Sequence, residues 1–224
     1  MTNFEDINNL IEKFQNATVE KNENHDSCAE CGGACCKNQG CEIFPQDVKR
    51  WYGVEEITED ILTDLICSGF ICLDWWEGDL IEDEMFPEIS DKTYHDWDPL
   101  GHWFFLRTRS EHDSHMFPAY VPGTCTLLSP TGCKLSWEAR PFGAKALIPK
   151  EPGGQCRAKF SKKESCMAWL PYWSMFERIW DKLGGFQVGW DVSRDPKHYY
   201  PLVSNMTEEE FIRLVESGAK ESSS

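Results

Sequence analysis

The chain lacks several things that would assign it quickly to a class. No apolar run approaches the ~20 residues needed to cross a bilayer, so no membrane partner is expected. No phosphate-cradling glycine loop, nucleophile elbow or zinc-protease helix motif occurs. Positive charge is scarce: 22 Lys and Arg stand against 38 Asp and Glu, a net charge of −16. Such a field repels the phosphate backbone, so nucleic acid is not an expected partner. The first residues, Met1-Thr-Asn-Phe-Glu-Asp, have neither the basic nor the apolar region of a secretory signal, and a cytoplasmic setting is expected. A hydrophobic content of 41%, including 13% aromatics, is too rich for a disordered chain. The 224 residues suit one domain, 1–224, able to bury a real core.

Cysteine is what the chain has in excess, eleven in all. An odd number cannot pair completely, and a reducing compartment disfavours disulfides, so thiols at short spacings point to metal. Cys28-x2-Cys31-x3-Cys35-Cys36 places its thiols on one loop beside Gly32-Gly33, where the backbone can wrap tightly. Cys125-x7-Cys133 and Cys156-x9-Cys166 add two further pairs, making eight expected metal ligands. Zn²⁺ takes four thiolates in a tetrahedron, and iron–sulfur clusters take four on their irons. Neighbouring side chains diverge, so the Cys35-Cys36 doublet suits a centre with more than one metal, or two adjacent sites. Cys41 lies near enough to the loop to be a ligand or not. Cys67 and Cys72 sit among apolar residues and read as core thiols.

Phe4, Ile7, Leu10, Ile11 and Phe14 predict an amphipathic helix. Pro45 opens a second through Val48 and Trp51 to Gly53, and Thr58 a third carrying Ile61, Leu62, Leu65 and Ile66 to a stop at Gly69. The run from His102 to Arg109 reads as a strand, and Ser129-Pro-Thr-Gly132 as a turn between short arms. Trp173, Phe176, Ile179, Trp180 and Leu183 share a helical face, and Thr207-Glu-Glu-Glu210 forms a capping box for a last helix. The fold class expected is α+β, or mainly α with short strands and long metal-stapled loops, the cysteine cluster joining two distant segments.

Cys28-x2-Cys31-Gly-Gly-Ala-Cys35-Cys36, followed by Cys125-Thr-Leu-Leu, Cys133 and Arg140-Pro141, resembles the CxxCxxCC family, the YkgJ-like cysteine-cluster proteins described as zinc- or iron-chelating domains. The resemblance covers about residues 28–50 and 120–170 and leaves 51–120 as an insertion or variable region. It implies that the cysteines are metal ligands. A similar cluster in the flagellin lysine N-methylases, thought to hold an iron–sulfur centre, makes an enzymatic role available. Two departures stand out. The doublet here follows three intervening residues, and Arg140-Pro141 is followed by Phe142-Gly-Ala144 where members usually show a cysteine. An insertion that brings Cys156 into that place keeps the count at eight. The resemblance also sets Arg140 beside the cysteines, where its charge would offset theirs.

Other candidates carry blander readings. His112-x2-His115 lies in a polar stretch read as a solvated loop, and Trp75-Trp76 stands among acidic residues that disfavour a phosphate ligand. The expected function is therefore a metal-binding protein, most simply an iron–sulfur ([4Fe–4S]) protein with a redox or enzymatic role and a redox or protein partner. The alternatives are a structural zinc module presenting an interaction surface, and metal storage or delivery. No residue identifies a substrate.

Overall fold

A computed structural model of the chain describes residues 33, 35–37, 40–76, 103–113, 123–149, 156–157, 160–183 and 205–221, together with positions 9 and 12. Asn9 and Glu12 are helical and exposed; the remainder of the amphipathic helix expected over Phe4 to Phe14 lies outside the described residues. The fold is α+β. Strand β1 (Glu42–Ile43), helix α1 (Pro45–Tyr52), helix α2 (Glu59–Cys67) and strands β2 (Ile71–Trp76) and β3 (Trp103–Thr108) come first. β3 lies between β1 and β2, antiparallel to both, with Ile43 opposite Leu106 and Cys72 opposite Arg107.

Local chemistry explains the helices that were expected. Pro45 occupies the first turn of α1, Asp47 Oδ2 accepts the Phe44 N–H at 3.0 Å, and Gly53 closes the helix at φ 62°. Thr58 caps α2, which buries Leu62, Leu65 and Ile66 and leaves Ile61 half-buried. Strands β4 (Leu128–Ser129) and β5 (Gly132–Cys133) pair around Pro130-Thr131, as the turn residues predict. Helix α3 (Phe142–Ala146) leads to the paired strands β6 (Ile148–Pro149) and β7 (Cys156–Arg157). Helices α4 (Lys162–Trp169), α5 (Trp173–Lys182) and α6 (Glu208–Glu221) complete the described chain. At the start of α6 the Glu210 carboxylate accepts from Thr207 N and Oγ1 while Glu210 N donates to Thr207 Oγ1.

The sheet buries both faces. Phe104 packs on Phe176 and Trp180 of α5, with ring centroids 6.1 and 5.6 Å away. Phe211 of α6 stacks on Phe70 and meets Trp51 of α1 edge-on. Gly218 lets α6 approach α1 closely, because a Cβ there would collide with the carbonyls of Arg50 and Trp51. A second cluster gathers Phe44, Phe142, Phe160, Ala146 and Ala168.

β2 and α4 were not expected. β2 carries Asp74 into the interior, where Arg107 Nε donates to it at 2.6 Å. That partner is a tertiary one, so the sequence pattern looked merely acidic. α4 buries Ser165, Cys166, Met167, Ala168 and Trp169 in succession, which hides any amphipathic period. Residues 51–76 and 103–113, inside the block read as an insertion or variable region, supply two of the three sheet strands and helix α2. No described helix is long and apolar enough to cross a membrane.

Candidate metal centre

Three chain segments converge at the end of β3. Cys36 lies in a 3-10 turn, Cys35–Lys37, tied by Lys37 N to the Gly33 carbonyl at 3.2 Å. Its own carbonyl accepts the Cys125 N–H at 2.7 Å, which joins the first cysteine loop directly to the second region. Cys41 precedes β1 and clasps Thr108 in both directions: its N–H donates to Thr108 Oγ1 at 2.8 Å, and its carbonyl accepts Thr108 N–H at 2.8 Å. The same Thr108 Oγ1 receives the Cys125 thiol at 3.4 Å. Cys125 is held beside β3 by its bridge to Ser110, and Cys133 follows on β5 opposite Leu128.

The four thiols of Cys36, Cys41, Cys125 and Cys133 consequently feel one another. A hydrogen bond from the Cys41 thiol lowers the Cys36 pKa to about 7 against the opposing effect of burial, and the Arg140 charge adds to the lowering. The same bond, with burial and the neighbouring Cys36 and Cys125, pushes Cys41 well above the usual thiol range. Burial raises Cys125 to about 11, partly offset by Thr108, and also raises Cys133. Arg140 hydrogen-bonds Cys133 and acts electrostatically on both Cys36 and Cys133. Its turn is braced by Arg140 Nε on the Leu135 carbonyl at 3.2 Å, and by Ser136, whose N–H and hydroxyl donate to Glu216 of α6 at 2.6 and 2.7 Å. The C-terminal helix thus positions the arginine.

Of the eight expected ligands, Cys36, Cys125 and Cys133 come together, and Arg140 stands beside them. Cys28 and Cys31 lie outside the described residues, as do the side chains of Cys35 and Cys156. The Cys156 backbone pairs with Pro149. Cys166 sits elsewhere, its thiol donating to the Trp103 carbonyl at 3.3 Å, with burial and then Asp74 raising its pKa. Cys41, left open by spacing, belongs to the thiol group. Thr108 was missed altogether, because nothing local marks a threonine at a strand end as a hub. Cys72 is fully buried and Cys67 half-buried. His112 is exposed beside Glu111, and His115 lies outside the described residues.

Among the described residues, no three His, Cys, Asp or Glu side chains already converge on a point that could hold a metal ion. Gripping one requires the thiols to turn toward a common centre. In donor type the group fits: soft sulfur, one thiol ionising near neutrality, and a guanidinium to offset the charge. No protein-family model, no curated protein and no solved structure matches the chain.

Proposed function

We propose that this chain is a metal-binding cysteine-cluster protein of the CxxCxxCC type, holding an iron–sulfur cluster for a redox or enzymatic role. The observation that carries the reading is the mutual proximity of Cys36, Cys41, Cys125 and Cys133, with Cys41 and Cys125 held on Thr108 and Arg140 alongside Cys36 and Cys133. Four thiols from segments this far apart in sequence lie close enough to shift one another's ionisation, at the edge of the apolar core. Thiolates in this number suit iron–sulfur ligation, and the doublet Cys35-Cys36, with Cys28 and Cys31 close in sequence, offers more sulfur than one ion needs. Cys36, Cys41, Cys125 and Cys133 would hold the group, which supplies electron transfer or Lewis acidity when bound. Arg140 offsets thiolate charge, and Thr108 orients Cys125 while fixing the Cys41 backbone. Closure between residues 36–41 and 125–133 couples metal binding to folding, so chelation should loosen both segments.

A structural zinc module is the second reading, because the grouped thiols of Cys36, Cys41, Cys125 and Cys133 number the four of a closed tetrahedral site. Metal storage or delivery would need labile binding. Anaerobic purification with an absorption spectrum and with iron, sulfide and zinc analysis separates these readings. A brown protein with iron and sulfide supports the cluster; a colourless one with one zinc per chain replaces it by the module. Metal lost on simple dialysis points to delivery, and a protein without metal after reconstitution overturns all three. A cytoplasmic location belongs to the same proposal, since it keeps the thiols reduced.

A further inference from the structure

Two of the grouped thiols touch each other. The Cys41 thiol donates to the sulfur of Cys36, five residues earlier in the chain, and so brings the two sulfurs together, as a disulfide requires. The other two are engaged differently. Cys125 donates to Thr108 Oγ1 at 3.4 Å, and Cys133 is hydrogen-bonded to Arg140. Contact therefore selects one pair from the four.

The backbone holds that pair from both ends. Cys36 lies in the 3-10 turn Cys35–Lys37, and its carbonyl accepts the Cys125 N–H at 2.7 Å. Cys41 is pinned by its N–H on Thr108 Oγ1 and by its carbonyl on Thr108 N–H, each at 2.8 Å. Gly40 permits this approach, since a Cβ there would collide with the Thr108 carbonyl and Oγ1. Sulfurs already fixed in this way lose little further freedom on bonding. Exposure assigns their roles: Cys36 is half-buried and open to a reagent, whereas Cys41 is 5% exposed. In thiol–disulfide exchange the accessible sulfur attacks first, and the sheltered neighbour completes the bond.

We propose that Cys36 and Cys41 form a reversible disulfide switch, which a small-molecule disulfide, RSSR, closes and a thiol reductant opens. Deprotonated Cys36 attacks one sulfur of RSSR; that S–S bond breaks, and RS⁻ leaves to take up the proton as RSH. Cys41 then loses its proton and attacks Cys36 Sγ, breaking the mixed disulfide and releasing the second RSH. Two protein thiols have given up two electrons and two protons, and RSSR has become two RSH. Disulfide sulfur is no longer thiolate, so closure withdraws two donors from the centre and leaves Cys125 and Cys133. That consequence for metal rests on the metal reading above; the disulfide itself does not.

The test incubates the full chain, reduced and freed of metal under argon, with oxidised glutathione. The products are alkylated, digested with trypsin and read by mass spectrometry. Cleavage after Lys37 parts Cys36 from Cys41, so the bond holds residues 22–37 to residues 38–49. Fragmentation should place the link on Cys36, in about tenfold excess over any link from Cys41 to another cysteine, and dithiothreitol should split it. Cys36→Ser should leave Cys41 without this link, and Cys166→Ala should keep it. The switch is overturned if Cys41 stays reduced, carries glutathione only, or links to another cysteine. The same incubation of the metal-loaded chain separates the two readings. The link should form about tenfold more slowly there, and metal should leave as it forms. Metal retained beside a fully formed link overturns the withdrawal of donors. A link in a chain that holds no metal keeps the switch and removes the metal reading; bound metal with no link after chelation does the reverse.

Discussion

Replacing Cys41 by serine and Cys166 by alanine separates a thiol inside the candidate centre from one outside it. Cys41 lies against Cys36 and Cys125, and its backbone is pinned on Thr108. Serine keeps that backbone bond and most of the volume while removing a soft ligand. Cys166, 2% exposed, donates only to the Trp103 carbonyl, so alanine leaves a cavity the size of one sulfur and a carbonyl short of a weak donor. That should cost about 1 kcal/mol in urea unfolding. Losing one of four ligands should weaken metal binding more than the about 10–100-fold typical of removing a hydrogen-bonding partner behind a ligand. Part of the folding free energy held in the metal, about 10–16 kcal/mol for thiolate zinc sites in peptides, goes with it. The assay is metal per chain after anaerobic purification, with unfolding of the loaded and chelated forms. Cys41→Ser should arrive depleted, its unfolding insensitive to chelator, whereas Cys166→Ala should keep its metal. If Cys166→Ala is depleted and Cys41→Ser is full, the assignment of ligands from this geometry is wrong.

Thr108→Val removes the hydroxyl shared by Cys41 N–H and the Cys125 thiol at little change in volume. Metal affinity measured by competition with a chelator should fall about 10–100-fold. Asp113→Asn breaks a buried pair in which Arg107 donates to both carboxylate oxygens, at 2.6 and 2.9 Å, and should cost about 3 kcal/mol in denaturant unfolding. Burial opposes ionisation of Asp113, but the Arg107 bonds and charge, with those from Ser110, hold its pKa below the usual carboxylate value. Its stabilisation is thus complete above the unfolded pKa of about 3.9 and fades as pH falls through the lower folded value. The gap between parent and Asp113→Asn should accordingly close in acid; a gap that widens there contradicts the pairing. Asp47→Ala strands the Phe44 and Phe142 N–H groups, which Oδ2 accepts at 3.0 and 2.8 Å, and should cost about 2–4 kcal/mol by the same measurement.

Much of the secondary structure was legible because its causes are local. Pro45 and Gly53 bracket α1, Thr58 opens α2, and Thr207 with Glu210 opens α6, each within a turn of the residues it governs. The β4–β5 hairpin follows from Ser129-Pro-Thr-Gly132 in the same way. β2 and α4 escaped because what stabilises them is remote: Arg107 for Asp74, and burial on all sides for the run from Ser165 to Trp169. The candidate site divides similarly. Spacing singled out Cys36, Cys125 and Cys133, and left Cys41 undecided.

The sequence by itself determined that thiols are abundant, odd in number and grouped, and that most helices start and stop where their caps stand. Short-range sterics and hydrogen bonding suffice for that. Only the tertiary structure decided which thiols meet. Pairing β1 with β3 in the register Glu42 to Arg107 carries Cys41 onto Thr108, and the bridge of Ser110 to Cys125 brings the second cysteine region to the same strand end. A one-residue slip in either pairing would turn these groups to the opposite face, and nothing in the spacing of cysteines specifies that register.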